Sequence, residues 1–146
     1  MTQKTNQFNL TTKRYTENEI ESMVLSDKIN IYAFSLKDSY GDSGITGLCI
    51  IINEGSIAMI DTLLMSCRVI GRNIEYVFMD YIVESLSKSN IKNIQSRFIK
   101  TMKNKQVNEF FESCSFKLMN EEGPVKNYNL RVSKYKKSVL DYIELE

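Results

Sequence analysis

Ser66 to Asn73, Ser-Cys-Arg-Val-Ile-Gly-Arg-Asn, bring a thiol, two guanidinium groups and a glycine between an apolar strand-like run and a helix-like one. A helix N-terminus has amide donors without partners in the helix and a positive partial charge, so a side-chain-poor turn there is a natural phosphate cradle. Gly71 allows close backbone approach, and Arg68 and Arg72 add positive charge beside it. A plain strand-to-helix turn with solvated arginines uses the same residues, and the spacing is not that of a P-loop. Upstream, Asp61 is flanked by Ile60, Leu63 and Leu64. Burial among them would raise its pKa and suit it to act as a base, whereas strand alternation could equally turn it to solvent or to a structural hydrogen bond. Cys67 reads either as a reactive thiol or as the more common buried structural cysteine.

Absences narrow the chemistry. The chain has no histidine, which excludes Ser-His-Asp and Cys-His catalysis together with the common histidine-containing metal sites; no metal is expected. Proton transfer would fall to a carboxylate, tyrosine, cysteine, lysine or ordered water. Nineteen basic residues against 18 acidic ones leave no net field that would make nucleic acid a default partner. Cys49, Cys67 and Cys114 are odd in number and lack CxxC spacing, which fits a reducing compartment and points to the cytoplasm. The N-terminus is polar and the apolar runs are too short to cross a bilayer, so a soluble protein with no membrane partner is expected. At 146 residues, the chain fits a single domain, 1–146.

The elements that must position these residues follow from periodicity. Phe8 and Leu10 alternate in a strand-like run that leads to Thr16 with Glu19 three residues later, a capping box opening a helix over 17–27 with Ile20, Met23 and Val24 on one side. Residues 29–36 read as a strand and 37–44 as a turn. Residues 45–53 and 56–65 are two strands joined at Glu54-Gly55, apolar on nearly every position and so covered on both faces. Ile74, Val77, Phe78, Tyr81, Ile82 and Leu86 recur at helical spacing, with Tyr81 assigned to core packing. A strand at 91–100, parallel to its predecessor, precedes a short helix over 104–114 and strands at 116–120 and 126–135. Residues 136–146 fit helix or strand equally.

Arg68-Val69-Ile70-Gly71-Arg72-Asn73, between a fourth strand and a long helix, resembles the Q/R-x-x-G-x-G/A turn of the GNAT (Gcn5-related N-acetyltransferase) superfamily. Arg68 and Gly71 match its first and fourth positions and Asn73 departs at the sixth; a register shifted by two residues would put Ile70 in the arginine position. "NKQVNEFFESCSF" resembles the superfamily's asparagine–aromatic element, with Asn104 in the asparagine position and Phe111 where many relatives carry a tyrosine that protonates the departing thiolate. The resemblance implies an α+β fold with a mixed central β-sheet flanked by helices on both faces, and acetyl-CoA, another acyl-CoA or a carrier protein's phosphopantetheine as cofactor. It implies pyrophosphate over Arg68, Val69, Ile70, Gly71, Arg72 and Asn73, with Asn104 and Phe111 beside the coenzyme. Bare main-chain amides of Leu63, Leu64, Met65 and Ser66 would line the pantetheine and thioester, Asp61 would be the base, and Cys67 would lie where the thioester approaches. Ser66 would either bond the pantetheine arm or simply end its strand. Tyr40 is a candidate for an acceptor pocket.

Over most of the chain, "QKTNQFNLTTKRYTENEI", "IDTLLMSCRVIGR" and the Asn104 element resemble the C-terminal GNAT-like domain of FkbH-like proteins. In those proteins a haloacid-dehalogenase-like domain comes first and loads a three-carbon unit onto an acyl carrier protein for polyketide biosynthesis. The motifs of that first domain are absent, so the chain is expected to be an excised C-terminal domain or a separated relative. Two functions remain open: direct acyl transfer from acyl-CoA to an acceptor, or a non-catalytic module that docks an acyl carrier protein or its phosphopantetheine arm. The "KYKK" run around Tyr135 reads as a solvated face or as a contact for an acidic carrier protein.

Overall fold

The two runs that are apolar at nearly every position become the centre of a seven-stranded sheet. In a computed structural model describing residues 8–39 and 41–137, the elements run β1 (Phe8–Asn9), α1 (Glu17–Val24), β2 (Ile29–Asp38), β3 (Gly41–Glu54), β4 (Ile57–Met65), α2 (Ile74–Lys88), β5 (Asn93–Ile99), α3 (Phe110–Ser113), β6 (Lys117–Glu122) and β7 (Val125–Arg131). The sheet order is β2-β3-β4-β5-β7-β6, with β1 paired off this path to β4. Every pairing is antiparallel except β4 with β5, which the helical crossover through α2 makes parallel. The sheet is therefore mixed, as expected.

Alternation along β3 and β4 explains the covering of both faces. Cys49, Ile51, Leu63 and Met65 belong to the larger core with Ile74, Phe78, Ile82 and Leu86 of α2 and Phe110 and Phe111 of α3. Leu48, Ile50 and Leu64 form a second core on the opposite face, against Ile20 and Met23 of α1 and against Tyr15, Ile29 and Ile31. The capping box is present: Glu19 N–H donates to Thr16 Oγ1 at 3.2 Å and Thr16 N–H to Glu19 Oε2 at 2.7 Å. A left-handed Gly55 (φ +59) turns β3 into β4, as its sequence predicts.

Several expectations are corrected. α1 ends at Val24, which is 64% exposed and not part of the buried side. The turn expected at 37–44 is mostly strand, because β2 and β3 extend to Asp38 and from Gly41 by accommodating register shifts at Phe34/Ser35 and Ser35/Lys37. The helix expected over 104–114 is a 3-10 turn at Lys105–Val107 followed by α3. Tyr81 is 48% exposed; it meets Tyr32 edge-on at the rim, 6.1 Å between ring centroids, and is not core. Tyr40 and residues 138–146, including most of the ambiguous C-terminal stretch, lie outside the described residues.

Candidate functional site

The head of α2 is built from two residues in left-handed conformation. After β4, Ser66 leads a 3-10 turn at Cys67–Val69, followed by Gly71 at φ +82 and by Asn73 at φ +63, the N-cap of α2. Gly71 supplies a conformation that L side chains disfavour, and an added Cβ would meet no atom within 4 Å. The turn is therefore open on the side where a side chain would stand. Cys67, Arg68 and Arg72 are exposed around it, so the expectation of a buried Cys67 is corrected. Ser66 Oγ accepts hydrogen bonds from the Arg68 amide (3.4 Å) and Nε (3.3 Å), which ties down the turn.

A carboxylate of the chain itself lies against two of the amides at this helix end. The Asn73 side chain makes no capping hydrogen bond. Instead, Glu75, 6% exposed, accepts hydrogen bonds from the backbone N–H groups of Gly71 and of Glu75 itself. Burial pushes its carboxyl pKa up, and these two bonds pull it partly back. Its Oε2 has no hydrogen-bond partner among the described residues. The positive end of α2 thus faces a buried negative group, where an incoming anion would compete with it.

The second half of the expected site is a wedge between β4 and β5. These strands pair over three positions only, Ile57 with Asn93, Ala58 with Ile94 and Met59 with Gln95, and then separate towards their C-terminal ends. Residues 8–10 fill the gap. Phe8 pairs with Met65 and Asn9 with Leu64; Leu10 N–H donates to Leu63 O at 3.1 Å, and Ile99 N–H donates to Leu10 O at 2.8 Å. Phe8 and Leu10 are fully buried, and the Phe8 ring meets Phe110 edge-on at 5.0 Å. On the other edge of β4, Leu64 pairs with Leu48 and the Ser66 amide donates to Thr46 O at 2.8 Å. The main chain expected to be bare is therefore engaged on both sides over Leu63, Leu64 and Met65 and through the amide of Ser66, a correction to that part of the expected site. Phe8 and Leu10 were legible as an alternating strand, but which strands they would join was not.

Asn104 fastens this arrangement. Fully buried, it accepts the Thr101 amide on Oδ1 at 2.7 Å, and its Nδ2 donates to Asn9 O at 3.1 Å and Ile99 O at 2.8 Å. Its amide is committed to protein main chain, which makes it a strut of the wedge and not an open coenzyme contact. Phe111 is 1% exposed among Phe116 and Tyr128, with ring centroids at 5.1 and 5.3 Å, and presents no face to a ligand.

Asp61 is the extra residue of a β-bulge, because Ile50 pairs with Thr62 and Ile51 with Ile60. The bulge aims its carboxylate at Lys13 and Tyr15. Lys13 Nζ forms a hydrogen-bonded ion pair with Oδ1, Tyr15 Oη donates to Oδ2 at 2.6 Å, and Thr62 Oγ1 donates to Oδ2 at 2.9 Å. Burial raises the pKa of Asp61, but those hydrogen bonds and the Lys13 charge outweigh it and hold the carboxylate below its ordinary range. The raised pKa expected from its apolar neighbours is corrected: distant chain supplies the polar partners. Burial, and after it the same carboxylate, push Tyr15 up to about 12. Among the described residues, no group of three or more His, Cys, Asp or Glu is placed to hold a metal.

The geometry has counterparts among solved structures. No family model matches the chain, and no curated protein matches it. Spermidine N-acetyltransferase from Vibrio cholerae, in complex with CoA and spermine, superposes with a TM-score of 0.63 at 14% identity, covering 84% of this chain and 79% of that one. The ribosomal-protein-S18-alanine N-acetyltransferase of Escherichia coli gives 0.63 at 10% identity, over 93% and 86%. PaiA N-acetyltransferase from Thermoplasma acidophilum, in complex with coenzyme A, gives 0.61 at 13% identity, over 80% of each chain. At these identities the likeness establishes the fold: the chain has the GNAT α+β fold, a mixed sheet between α1 on one face and α2 and α3 on the other. No helix among the described residues is long and apolar enough to cross a membrane.

Proposed function

We propose that this chain is a GNAT-fold module of acyl-thioester metabolism that engages an acyl carrier protein, within an FkbH-like assembly, and does not bind free acyl-CoA tightly. The observation that carries the reading is the strand at Phe8–Leu10 in the wedge between β4 and β5. Withdrawing Phe8 and Leu10 from the core would cost about 3–6 kcal/mol in lost apolar burial, at about 1.5–3 kcal/mol for each side chain. A coenzyme that needed that space would bind about 10²–10⁴-fold more weakly than to an open wedge. Glu75 adds a second competitor at the pyrophosphate position. The segment that closes the wedge is one of the three stretches that together resemble the FkbH-like domain. The exposed Arg68 and Arg72 beside Cys67 offer a cationic rim to an acidic carrier protein or to its phosphopantetheine phosphate.

A second reading, direct acyl transfer from acyl-CoA to an acceptor, is favoured by the CoA-bound acetyltransferases that share the fold. It requires residues 8–10 to leave the wedge and Glu75 to release the Gly71 amide. Asp61 would serve it as an electrostatic anchor more readily than as a base, since it is held ionised.

Titrating the full chain with acetyl-CoA and, separately, with an acyl-loaded carrier protein tests the choice. Carrier-protein binding with acetyl-CoA no tighter than millimolar supports the docking module. Micromolar acetyl-CoA binding that is lost when Gly71 is replaced by a bulky residue, with thiol release on adding an amine, replaces it with the transferase.

A further inference from the structure

The two edges of the sheet are guarded differently. At one edge β6 carries Lys117, Glu121 and Glu122, and the extra residue of its register shift against β7, Met119, lies in β6 itself. Charge and a bulge in the outer strand are devices that keep an edge from pairing with another chain. At the other edge β2 has neither over most of its length. From Ile29 to Leu36 it contains no charged residue and no proline, and the extra residues at its two register shifts fall in β3, which leaves β2 regular. We infer that β2 is an interaction surface for a second copy of this chain, which pairs antiparallel to it through the same strand.

The main chain of β2 is set up to receive a strand. Asn53 N–H donates to Lys28 O at 2.7 Å, so Lys28 faces β3, and by the alternation of an antiparallel pair Ile31 and Ala33 turn their N–H and C=O groups outward. Among the described residues, no strand lies beyond β2 to take them. Apolar side chains border the same edge. Tyr81 of α2 meets Tyr32 at the rim, the exposed Val24 and Leu25 end α1 just ahead of β2, and the exposed Ile45 lies opposite Ser35.

The charge pattern around β2 selects β2 itself as the occupant. A two-fold axis through Tyr32, perpendicular to the sheet, pairs Ile31 with the partner's Ala33 and Ala33 with the partner's Ile31, the residues whose main-chain groups face outward. It also brings Asp27, in the turn before β2, to the partner's Lys37, and Lys37 to the partner's Asp27; both residues are exposed. Opposite charges therefore meet at both ends of the paired strands. A slip of one residue would set Lys28 against the partner's Lys37 and turn every side chain to the other face. At the axis Tyr32 lies beside its own counterpart, an aromatic cross-strand pair of the stabilising kind. Because β2 is two strands away from β4, the pairing leaves Arg68–Asn73 and the wedge uncovered, and it does not depend on whether an acyl thioester or a carrier protein binds there.

Sedimentation equilibrium of the full chain tests this. A dimer with Kd of about 1–100 μM is expected, in keeping with a contact smaller than a standard interface. Ala33→Pro removes an outward N–H that β3 does not use, and should abolish the dimer while the far-UV circular dichroism stays as in wild type. Asp27→Lys, at an exposed position where folding is not at stake, turns two attractions into repulsions and should weaken the dimer about tenfold, and adding Lys37→Asp should restore it to within about threefold of wild type. Met119→Lys, on the opposite edge of the sheet, should change nothing. A chain that stays monomeric at about 1 mM overturns the proposal. So does a dimer that survives in folded Ala33→Pro, one that Asp27→Lys leaves unchanged or Lys37→Asp fails to restore, and one that Met119→Lys breaks.

Discussion

The carboxylate of Glu75 lies against the backbone N–H of Gly71, a left-handed residue whose Cβ direction is open. The residue whose missing side chain exposes the backbone and the residue whose side chain covers it are four positions apart. An anion arriving at α2 must displace this carboxylate or wait for it to be protonated.

Replacing Glu75 by glutamine keeps the size and an acceptor oxygen but removes the charge. Because burial raises the carboxyl above its ordinary 4.5, Glu75 contributes stability below that pH and loses it as pH rises through the folded value. Glu75→Gln should therefore gain on wild type between pH 4.5 and pH 7, ending within about 1 kcal/mol of it or above it. Thermal melts of both proteins across that range measure the trend. A gap that widens against the variant as pH rises would contradict the burial of this carboxylate.

Asp61 titrates in the opposite sense. Its folded pKa lies below the ordinary 3.8, so its ion pair and hydrogen bonds stabilise at pH above that value and are lost as pH falls through the folded one. Asp61→Asn should lower stability by about 1–2 kcal/mol at pH 7, the figure kept small because Lys13 is 38% exposed and can turn to water. The variant should also lose less than wild type when pH is taken below about 4. Urea denaturation at pH 7 and pH 3 checks both points.

Asn104→Ala removes three hydrogen bonds at one fully buried residue. A loss of about 2–4 kcal/mol is expected, from bonds of about 1 kcal/mol each plus main-chain groups left unpaired. Amide exchange should quicken first at Leu10 and Ile99, where the wedge is held, before it quickens in α2.

Phe111→Tyr restores the side chain that the asparagine–aromatic element carries in many relatives. Here it would push a hydroxyl into a ring cluster with 1% exposure, and a cost of about 1–3 kcal/mol is expected without thiol release from acetyl-CoA. Melting temperature and a thiol assay report the two halves.

Local rules made much of this molecule legible. The stripe from Ile74 to Leu86 specifies α2 because helical spacing is a property of adjacent turns, and the Thr16–Glu19 box is contained in four residues. The parallel step from β4 to β5 follows from having to cross over a helix. The functional details depend on partners distant in the chain. Phe8 and Leu10 read as a strand, but two pairing residues carry no information on which strands they will join. Asp61 looks isolated among Ile60, Leu63 and Leu64 because its partners Lys13 and Tyr15 lie 48 and 46 residues earlier. Glu75 looks like any acidic residue in the first turn of a helix until the left-handed pair at Gly71 and Asn73 turns the amides back onto it. Phe111 shows the same limit from the other side, since a sequence match preserved its position in the element while packing removed it from any surface.

Native-state hydrogen exchange at the Leu10 and Ile99 amides, with and without millimolar acetyl-CoA, reads the state of the wedge directly. Slow exchange at both amides, unchanged by the coenzyme, is the expected result, because Leu63 O and Leu10 O hold them within the closed sheet. Fast exchange at Leu10 in the free protein, or deprotection of both amides as acetyl-CoA binds, would mean that the strand leaves the wedge and that the coenzyme takes its place.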